Sequence, residues 1–448
     1  MNKRTFLNLL ASGALSRILT PSAMAFANEK LSNWAGNLTY ATDRLTEAAS
    51  IEEVRSFVKS HARFKALGTR HCFNSIADSR DAFVSLKPMH EMVAVDSHAR
   101  TATVEAGVTY GVLAPYLESK GLALHNLASL PHISVAGACS TGTHGSGEGN
   151  GNLATAVAAL EFVNGEGDVV KLSRGADGET FRGAVVGLGA LGVITRVTLD
   201  VQPSYQVRQY VYESMAFAQM TNHFDAIQAS GYSVSMFTDW RNERVNEVWI
   251  KARTDSPKPF SGPEEFFGAT LAKKNLHPIA ELSAENCTEQ MGKPGPWYDR
   301  LPHFKMGFTP SAGKELQTEY FVPRQHAVEA ILAVARLHEQ VTPHLLITEI
   351  RTIAADDLWM SMAYRQPSVA IHFTWKPDWP AVKRVLPAIE KELGPYQARP
   401  HWGKLFTLAP AELRARYPKM GEFVQLAAKF DAQGKLRNDF LKTNLFGG

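Results

Sequence analysis

The sequence has few cysteines and little excess charge of either sign. Its 448 residues include three cysteines, Cys72, Cys139 and Cys287, with no C-x-x-C pair among them. That spacing argues against a disulfide framework and against a zinc site, and we expect no metal. The net charge is only +3, and lysine and arginine are scattered among acidic residues. The chain therefore lacks the basic patch of nucleic-acid-binding proteins, while its length favours two domains.

The first 27 residues have the pattern of an export signal. Lys3 and Arg4 precede an apolar stretch, and Ala25 and Ala27 offer small-residue cleavage sites. Lys3-Arg4 is similar to a twin-arginine signal with Lys for the first Arg. Arg17 interrupts the apolar run, so an ordinary N-terminal helix is the alternative. We expect a periplasmic or secreted protein, or a cytoplasmic one if the segment does not act as a signal. No later stretch is long and apolar enough to predict a membrane span.

A short loop after the predicted strand Phe64–Leu67 combines a glycine, a cation and a histidine. Gly68 can adopt backbone angles closed to other residues and lets a ligand come close. Consecutive N–H groups in such a turn can form an anion-binding nest, and His71 then projects a nucleophilic imidazole. The alternative is an ordinary strand and turn with a surface histidine.

A second unusual stretch, Leu127–Gly147, consists almost entirely of small residues and hydroxyls. Small side chains let the backbone approach a large flat ligand, and hydroxyls can bond to phosphate or ring heteroatoms. The alternative is a flexible linker, which would not carry Leu127, Leu130, Ile133 and Val135.

Residues Gly187–Gly192 match the G-x-G-x-x-G pattern of dinucleotide-binding proteins. That fingerprint requires a strand before the glycines and a helix after them. Here a helix is predicted before them and a β-branched strand after them, so we reject a Rossmann nucleotide site. We expect a tight helix-to-strand turn lying under a ligand.

After Pro203 the composition changes, and polar residues interrupt two otherwise apolar strands. Side chains alternate along a strand, so Glu349 and Arg351 share one face, as do His372 and Thr374. These four groups could line a pocket; the alternatives are an exposed strand face and a structural histidine. Residues 256–310 show few clear elements and are predicted to be a long surface excursion. Lys404 follows an aromatic turn.

Together these motifs resemble a known family. The His71 loop, Pro131–Gly147 and Gly189–Thr195 resemble the FAD domain of the vanillyl-alcohol oxidase superfamily, and the motifs around Glu349, His372 and Lys404 resemble its aldonolactone oxidase and alditol oxidase branch. The resemblance implies an α+β fold. A two-subdomain FAD-binding domain would span residues 28–203, an antiparallel-sheet cap (substrate) domain residues 204–399, and a C-terminal segment, residues 400–448, would return to the flavin.

The resemblance also implies the site residues. His71 matches the histidine bonded covalently to the flavin 8α-methyl group, and Leu130 occupies the position of a second flavin-linked cysteine in some relatives, so a single link is implied. The matching FAD contacts are Ala66, Leu67, Gly68, Thr69, Arg70, His71, Cys72, Ser129, Ser134, Gly137, Thr141, Gly142, Thr143, His144 and Ile194. The matching polyol contacts are Ser129, Glu349, Arg351, Thr374 and Lys404, with Arg351, Lys404 and His372 as catalytic candidates.

The implied function is an FAD-dependent oxidase that converts the terminal CH–OH of a polyol, such as xylitol or sorbitol, to an aldose. The hydride would pass to flavin N5, and dioxygen would be reduced to hydrogen peroxide. One alternative is a sugar-1,4-lactone oxidase or dehydrogenase of the same branch. Another is a non-catalytic binding protein that has kept the fold. The expected partners are a small-molecule polyol and dioxygen, with a monomer as the simplest assembly.

Overall fold

A computed structural model describes residues 30–308 and 315–447. Contacts divide the chain into two compact units, residues 1–30 and 31–448, and every feature below lies in the second. The predicted export signal, residues 1–27, lies outside the described residues. Among the described helices, none combines the length and apolar character needed to cross a bilayer.

The strands of the described residues form four sheets. In chain order they are β1 Leu45–Glu47, β2 Lys65–Ala66, β3 Phe83–Ser85, β4 Met92–Asp96, β5 Thr101–Glu105, β6 Leu122–Ala123, β7 Val157–Val163, β8 Val169–Ser173, β9 Val193–Asp200, β10 Gln202–Pro203, β11 Gln206–Ala216, β12 Ser233–Thr238, β13 Arg244–Arg253, β14 Glu265–Phe266, β15 Ala269–Leu271, β16 Gly295–Pro296, β17 Leu316–Pro323, β18 Leu345–Ile353, β19 Ser368–Trp375 and β20 Arg399–Pro400. The α-helices are α1 Ile51–Ser60, α2 Tyr110–Ser119, α3 Val135–Ser140, α4 Arg174–Val185, α5 Phe217–Gln228, α6 Ala327–Ala335, α7 His338–Val341, α8 Trp379–Leu393, α9 Pro410–Ala415, α10 Met420–Phe430 and α11 Asp439–Leu441.

The N-terminal half contains two small α+β layers. Strands β1, β3 and β2 form a parallel sheet in that order, beside α1. Ser50 caps α1 by accepting the Glu53 N–H. Strands β4, β5, β9, β7 and β8 form an antiparallel sheet that includes the hairpins β4–β5 and β7–β8. The small residues of α3 let this helix pack between the two layers, with Val135 and Cys139 fully buried.

The C-terminal half is organised around an antiparallel sheet of ten strands among the described residues. One face is apolar and is covered by α5, α6 and α8, which contribute Met220, Ile331 and Leu386 to one hydrophobic core with Ile350 and Ile371. The opposite face carries the polar side chains that alternate with this core. The sheet therefore holds a row of charged groups in a fixed register, away from its helices.

The last segment of the chain returns to the loop that contains His71. The Phe73 N–H donates to the Gly403 carbonyl over 2.7 Å, and Asn74 Nδ2 donates to the Trp402 and Lys404 carbonyls. Trp402 is fully buried, and its indole N–H donates to the Met360 carbonyl over 2.8 Å. These bonds fix the backbone of Lys404 beside the loop that contains His71.

Several local predictions need correction. Residues 256–308 are only in part a surface excursion: most of residues 256–286 are exposed or half-buried, as predicted, whereas Cys287, Trp297 and His303 are buried. The strand β17 was not among the predicted elements. The helix predicted before the glycine-rich turn is α4, Arg174–Val185, and Met215 lies in β11.

Candidate active site

One cavity of about 890 Å³ runs from the His71 loop to the polar face of the large sheet. That volume is in the upper part of the range for cofactor and ligand sites. Every site residue predicted from the sequence lines this cavity except Gly142. Gly142 lies in a turn with φ of 70°, where its N–H bonds to the Cys139 carbonyl. The predicted cofactor and substrate residues are thus brought to a single space.

At one end of the cavity, the loop after β2 presents unbonded backbone donors. The N–H groups of residues 68–72 donate no hydrogen bond to any described residue. The residue with left-handed backbone angles is Arg70, with φ of 63°, rather than Gly68. Gly68 instead permits close packing, since a Cβ there would lie 3.0 Å from Ser134 Oγ. Consecutive free donors of this kind bind anionic oxygens such as those of a pyrophosphate.

His71 lies in an aromatic group at the same end of the cavity. Its ring stacks on Trp34 at 5.0 Å and lies 4.6 Å from the His132 ring. Nδ1 is 2.9 Å from the Thr69 carbonyl, while Nε2 is buried and has no hydrogen-bond partner among the described residues. Burial, reinforced by His132, lowers the pKa of His71 to about 3. The imidazole is therefore neutral near pH 7 and keeps a lone pair, as a nucleophile requires.

The middle of the cavity is walled by small residues. Ser134 and Gly137 lie on or beside α3, and Thr141 and Thr143 follow it. A Cβ on Gly137 would lie 2.8 Å from Ser134 Oγ, so the wall is packed as closely as a glycine allows. Opposite, Gly189 and Gly192 of the glycine-rich turn line the cavity, ahead of Ile194 on β9. This turn joins a helix to a strand, as predicted, and lies under the cavity.

At the other end, three neighbouring strands place charged residues in one row. Glu319 on β17 pairs with His372 on β19, which pairs with Glu349 on β18. Because side chains two residues apart share a face, Arg351 and Thr374 project from the same side of the sheet. All five residues line the cavity. The predicted sharing of faces is confirmed, and the exposed-face alternative is wrong because Glu349 and Arg351 are buried.

Glu319 is the centre of this charged row. Its Oε1 accepts from Arg351 Nη2 at 2.8 Å and lies 3.2 Å from His144 Nε2, and its Oε2 accepts from Lys404 Nζ at 2.7 Å. Burial would raise the pKa of Glu319, but Lys404, His144 and Arg351 hold it well below its usual range. The fully buried carboxylate therefore remains ionised and fixes both cations.

The ligand atoms of His144, Glu319 and His401 lie within 4.8 Å of one another, a spacing that a metal ion could bridge. Arg351 and Lys404 already occupy both oxygens of Glu319. A metal ion would meet these two cations at close range in a medium that screens charge weakly. We therefore interpret the group as an ion-pair network.

Glu349 forms the second carboxylate of the row. Its Oε1 lies 2.7 Å from His303 Nε2 and 3.5 Å from Arg351 Nε. Burial would raise the pKa of Glu349, but Arg351 and His303 hold it well below its usual range. Two buried carboxylates thus share Arg351 between them.

His372 and Ser129 complete the set of predicted residues around this end of the cavity. His372 is buried between the two carboxylates, and neither ring nitrogen has a hydrogen-bond partner in the described residues. Burial and the nearby Lys404 keep its pKa well below the usual value, so the ring is neutral. Ser129 lines the cavity from the N-terminal half, with Thr374 on the sheet. A buried, unbonded polar ring is costly unless a ligand satisfies it.

Several residues at the site were missed from the sequence. Glu319 lies in β17, where Gln317 and Glu319 alternate with apolar residues, and this alternation was a usable signal. His303 lies in an irregular segment whose sequence has no periodicity. His132 is part of the small-residue stretch and lies next to His71, with both ring nitrogens unbonded.

Comparison with known proteins agrees with this geometry. A family profile described as FAD binding domain matches residues 43–173, and one described as D-arabinono-1,4-lactone oxidase matches residues 309–444. An alditol oxidase from Streptomyces sp. is 44% identical over 420 residues, covering 93% of this chain and 99% of the relative. An L-gulono-1,4-lactone dehydrogenase from Mycobacterium tuberculosis is 26% identical over 427 residues, covering 92% of this chain and 98% of the relative. Among solved structures, a solvent-stable cholesterol oxidase superposes with a TM-score of 0.74 at 15% identity, covering 92% of this chain and 96% of that one.

The fold and cavity define an FAD-dependent oxidoreductase of the vanillyl-alcohol oxidase type, in which a two-layer FAD-binding domain meets an antiparallel sheet. The small-residue wall and the free donors at residues 68–72 suit the cofactor. Within that class, the chain belongs to the alditol oxidase family of the aldonolactone oxidase branch. The predicted fold class and family are confirmed, and a protein that had kept the fold without chemistry is disfavoured.

Proposed function

We propose that this enzyme oxidises the terminal carbon of an open-chain polyol, such as xylitol or sorbitol, to an aldose. FAD, held by the N-terminal half, would supply the two-electron oxidation of the alcohol, with dioxygen as the final acceptor and hydrogen peroxide as its product. The observation that carries the proposal is the buried polar row of Glu319, His372 and Glu349 beside the FAD-sized cavity. The 44% identity to an alditol oxidase supports the same substrate class.

The N-terminal half would hold the cofactor. The free N–H groups of residues 68–72 suit the pyrophosphate. His71 is the residue we propose for the covalent link, because its neutral ring has one buried nitrogen without a partner. The small residues of α3 and the glycine-rich turn would enclose the remaining cofactor surface.

The sheet would hold the substrate. An ionised carboxylate such as Glu349 only accepts hydrogen bonds, so it suits a ligand with a hydroxyl on every carbon. Ser129 and Thr374 would bind further hydroxyls from opposite walls. Orientation of the reacting carbon by such fixed contacts can itself supply several kcal/mol.

Arg351 and Lys404 would stabilise negative charge that develops as the alcohol is oxidised. Both cations are fixed in place by Glu319 before substrate binds, so the site is preorganised. A neutral ring nitrogen of His372 would accept the hydrogen bond of the reacting hydroxyl and receive its proton as the hydride leaves. Its lowered pKa favours subsequent release of that proton.

A lactone oxidase or dehydrogenase of the same branch is the competing activity. A lactone replaces two hydroxyl donors with a carbonyl and a ring oxygen, which would face the carboxylates as acceptors. Each unpaired buried group costs about 1–3 kcal/mol, which favours the polyol. The test is an anaerobic screen in which purified enzyme is mixed with polyols, aldoses and aldonolactones and the flavin absorbance is followed. Bleaching by polyols and recovery in air is expected; bleaching by lactones alone would contradict the proposal.

A further inference from the structure

Behind Glu349, the polar face continues into a buried chain of two more titratable side chains. Lys251 on β13 is buried, and its Nζ donates to the Leu301 carbonyl, to the Pro302 carbonyl at 3.0 Å and towards His303 Nδ1 at 3.1 Å. His303 Nε2 in turn lies 2.7 Å from Glu349 Oε1. The chain Lys251–His303–Glu349 therefore runs along the polar face of the sheet, and His303 and Glu349 both line the cavity.

The protein holds this chain in one geometry. Thr288 bonds to the Pro302 and His303 carbonyls, at 2.9 Å and 3.0 Å. The His303 ring packs edge-on against Trp249 at 5.1 Å and Phe237 at 5.6 Å. The imidazole consequently has little freedom to turn away from Glu349.

The hydrogen-bond inventory determines which ring nitrogen of His303 carries the proton. An ionised carboxylate only accepts hydrogen bonds, so His303 Nε2, 2.7 Å from Glu349 Oε1, must carry the proton that it donates. His303 Nδ1 is then the acceptor that faces Lys251 Nζ, a group whose pKa burial lowers to about 7. Burial lowers the pKa of His303 to about 4, so the ring is neutral at neutral pH.

We infer that His303, held between Lys251 Nζ and Glu349 Oε1, is a positioning residue that keeps Glu349 an ionised hydrogen-bond acceptor. Glu349 Oε1 is occupied by His303, while Oε2 makes no hydrogen bond with any described residue. The free oxygen is the one that would meet a substrate hydroxyl. The inference rests on the proposed function, because it assigns His303 a role through substrate binding by Glu349.

The test compares variants at each link of the chain. His303→Ala removes the donor, His303→Gln keeps an N–H near the position of Nε2, and Lys251→Met removes the group that bonds to Nδ1 and holds the ring in place. Lys305→Met is the matched control, because Lys305 is an exposed lysine in the same segment, bonded to the Glu285 carbonyl. Flavin content and the absorbance spectrum establish that each variant is loaded, and kcat and KM for xylitol are measured as a function of pH.

His303→Ala should raise KM about tenfold or more, since an unpaired buried group costs about 1–3 kcal/mol, and should change kcat less. Its KM should rise further as pH falls, because Glu349 then faces Arg351 and His372 without His303 and is protonated more easily. His303→Gln should recover most of the loss, Lys251→Met should fall between the two, and Lys305→Met should match the wild type.

A wild-type KM in His303→Ala, or equal damage in His303→Ala and His303→Gln with full flavin content, would overturn the inference. If His303→Ala does not fold, the pH dependence of KM in Lys251→Met decides instead. A KM profile equal to that of the wild type would contradict the positioning role of His303. Failure of the proposed function is distinguishable, because the wild-type enzyme would then not oxidise xylitol at all.

Discussion

Replacing Lys404 with methionine tests whether the charged row acts on the chemical step. Lys404 Nζ lies 2.7 Å from Glu319 Oε2, and both side chains face the cavity. Methionine keeps the length of the side chain and removes its charge. We expect the rate of flavin reduction by xylitol to fall about 10²–10³-fold, the usual cost of losing one preorganised charge at a developing anion.

The same change has a cost in stability that must be separated from the rate. Removing one partner of a buried ion pair typically costs about 3–5 kcal/mol. Glu319 keeps Arg351 at 2.8 Å and His144 at 3.2 Å, so we expect the lower end of that range. The double variant Lys404→Met/Glu319→Gln removes both charges of the pair, and it should not regain the rate.

The assay is anaerobic stopped-flow spectroscopy of the flavin, with flavin content per chain as the internal reference. Lys404 Nζ bonds to Glu319 and makes no bond to the backbone donors of residues 68–72, so flavin content should stay normal. A normal reduction rate in Lys404→Met at normal flavin content would refute the reasoning. Recovery of the rate in the double variant would show that Lys404 serves only to pair with Glu319.

Three further predictions concern the cofactor, the N-terminus and acid stability. His71→Ala should abolish the acid fluorescence of denatured enzyme on a gel, because the covalent link is proposed through that ring; persistent fluorescence would exclude His71. N-terminal sequencing of protein from a periplasmic fraction should begin near Ala25 or Ala27, and an intact Met1 in the cytoplasm would count against export. The buried His303 has a pKa lowered from 6.5 to about 4, so the unfolded chain binds more protons in that window and the free energy of unfolding falls as pH drops through it. In His303→Gln, the free energy of unfolding should fall less at acid pH, by up to about 3 kcal/mol. Urea unfolding at a series of pH values measures this, and the same dependence of the unfolding free energy on pH in both proteins would contradict the prediction.

The strands at the core of the site could be predicted because their pattern is local. Glu349 and Arg351, and likewise His372 and Thr374, are two residues apart in apolar strands, so a shared face follows from the pleat alone. The order of elements around Gly187–Gly192 also excluded a Rossmann site before the fold was known. In both cases, the prediction needed only residues that are close together in the sequence.

The remaining site residues depend on contacts between distant segments. In the sequence, Glu319 is a single acidic residue within the strand β17. Its role becomes visible only through its contacts with Arg351 and Lys404, which are 32 and 85 positions away in the sequence. His303 lies in an irregular segment that is held by Thr288 and Lys251 rather than by its own periodicity. Because no helical or strand pattern marks His303, the sequence predicted a surface excursion for its whole segment.

The substrate class is the central claim, and steady-state kinetics test it most directly. The measurement is kcat/KM for xylitol, sorbitol and an aldonolactone with the same FAD-loaded enzyme under air, with peroxide formation as the readout. Because a lactone would leave acceptors facing Glu349, we expect kcat/KM for the polyols to exceed that for the lactone by about tenfold or more. A higher kcat/KM for the lactone would contradict the account.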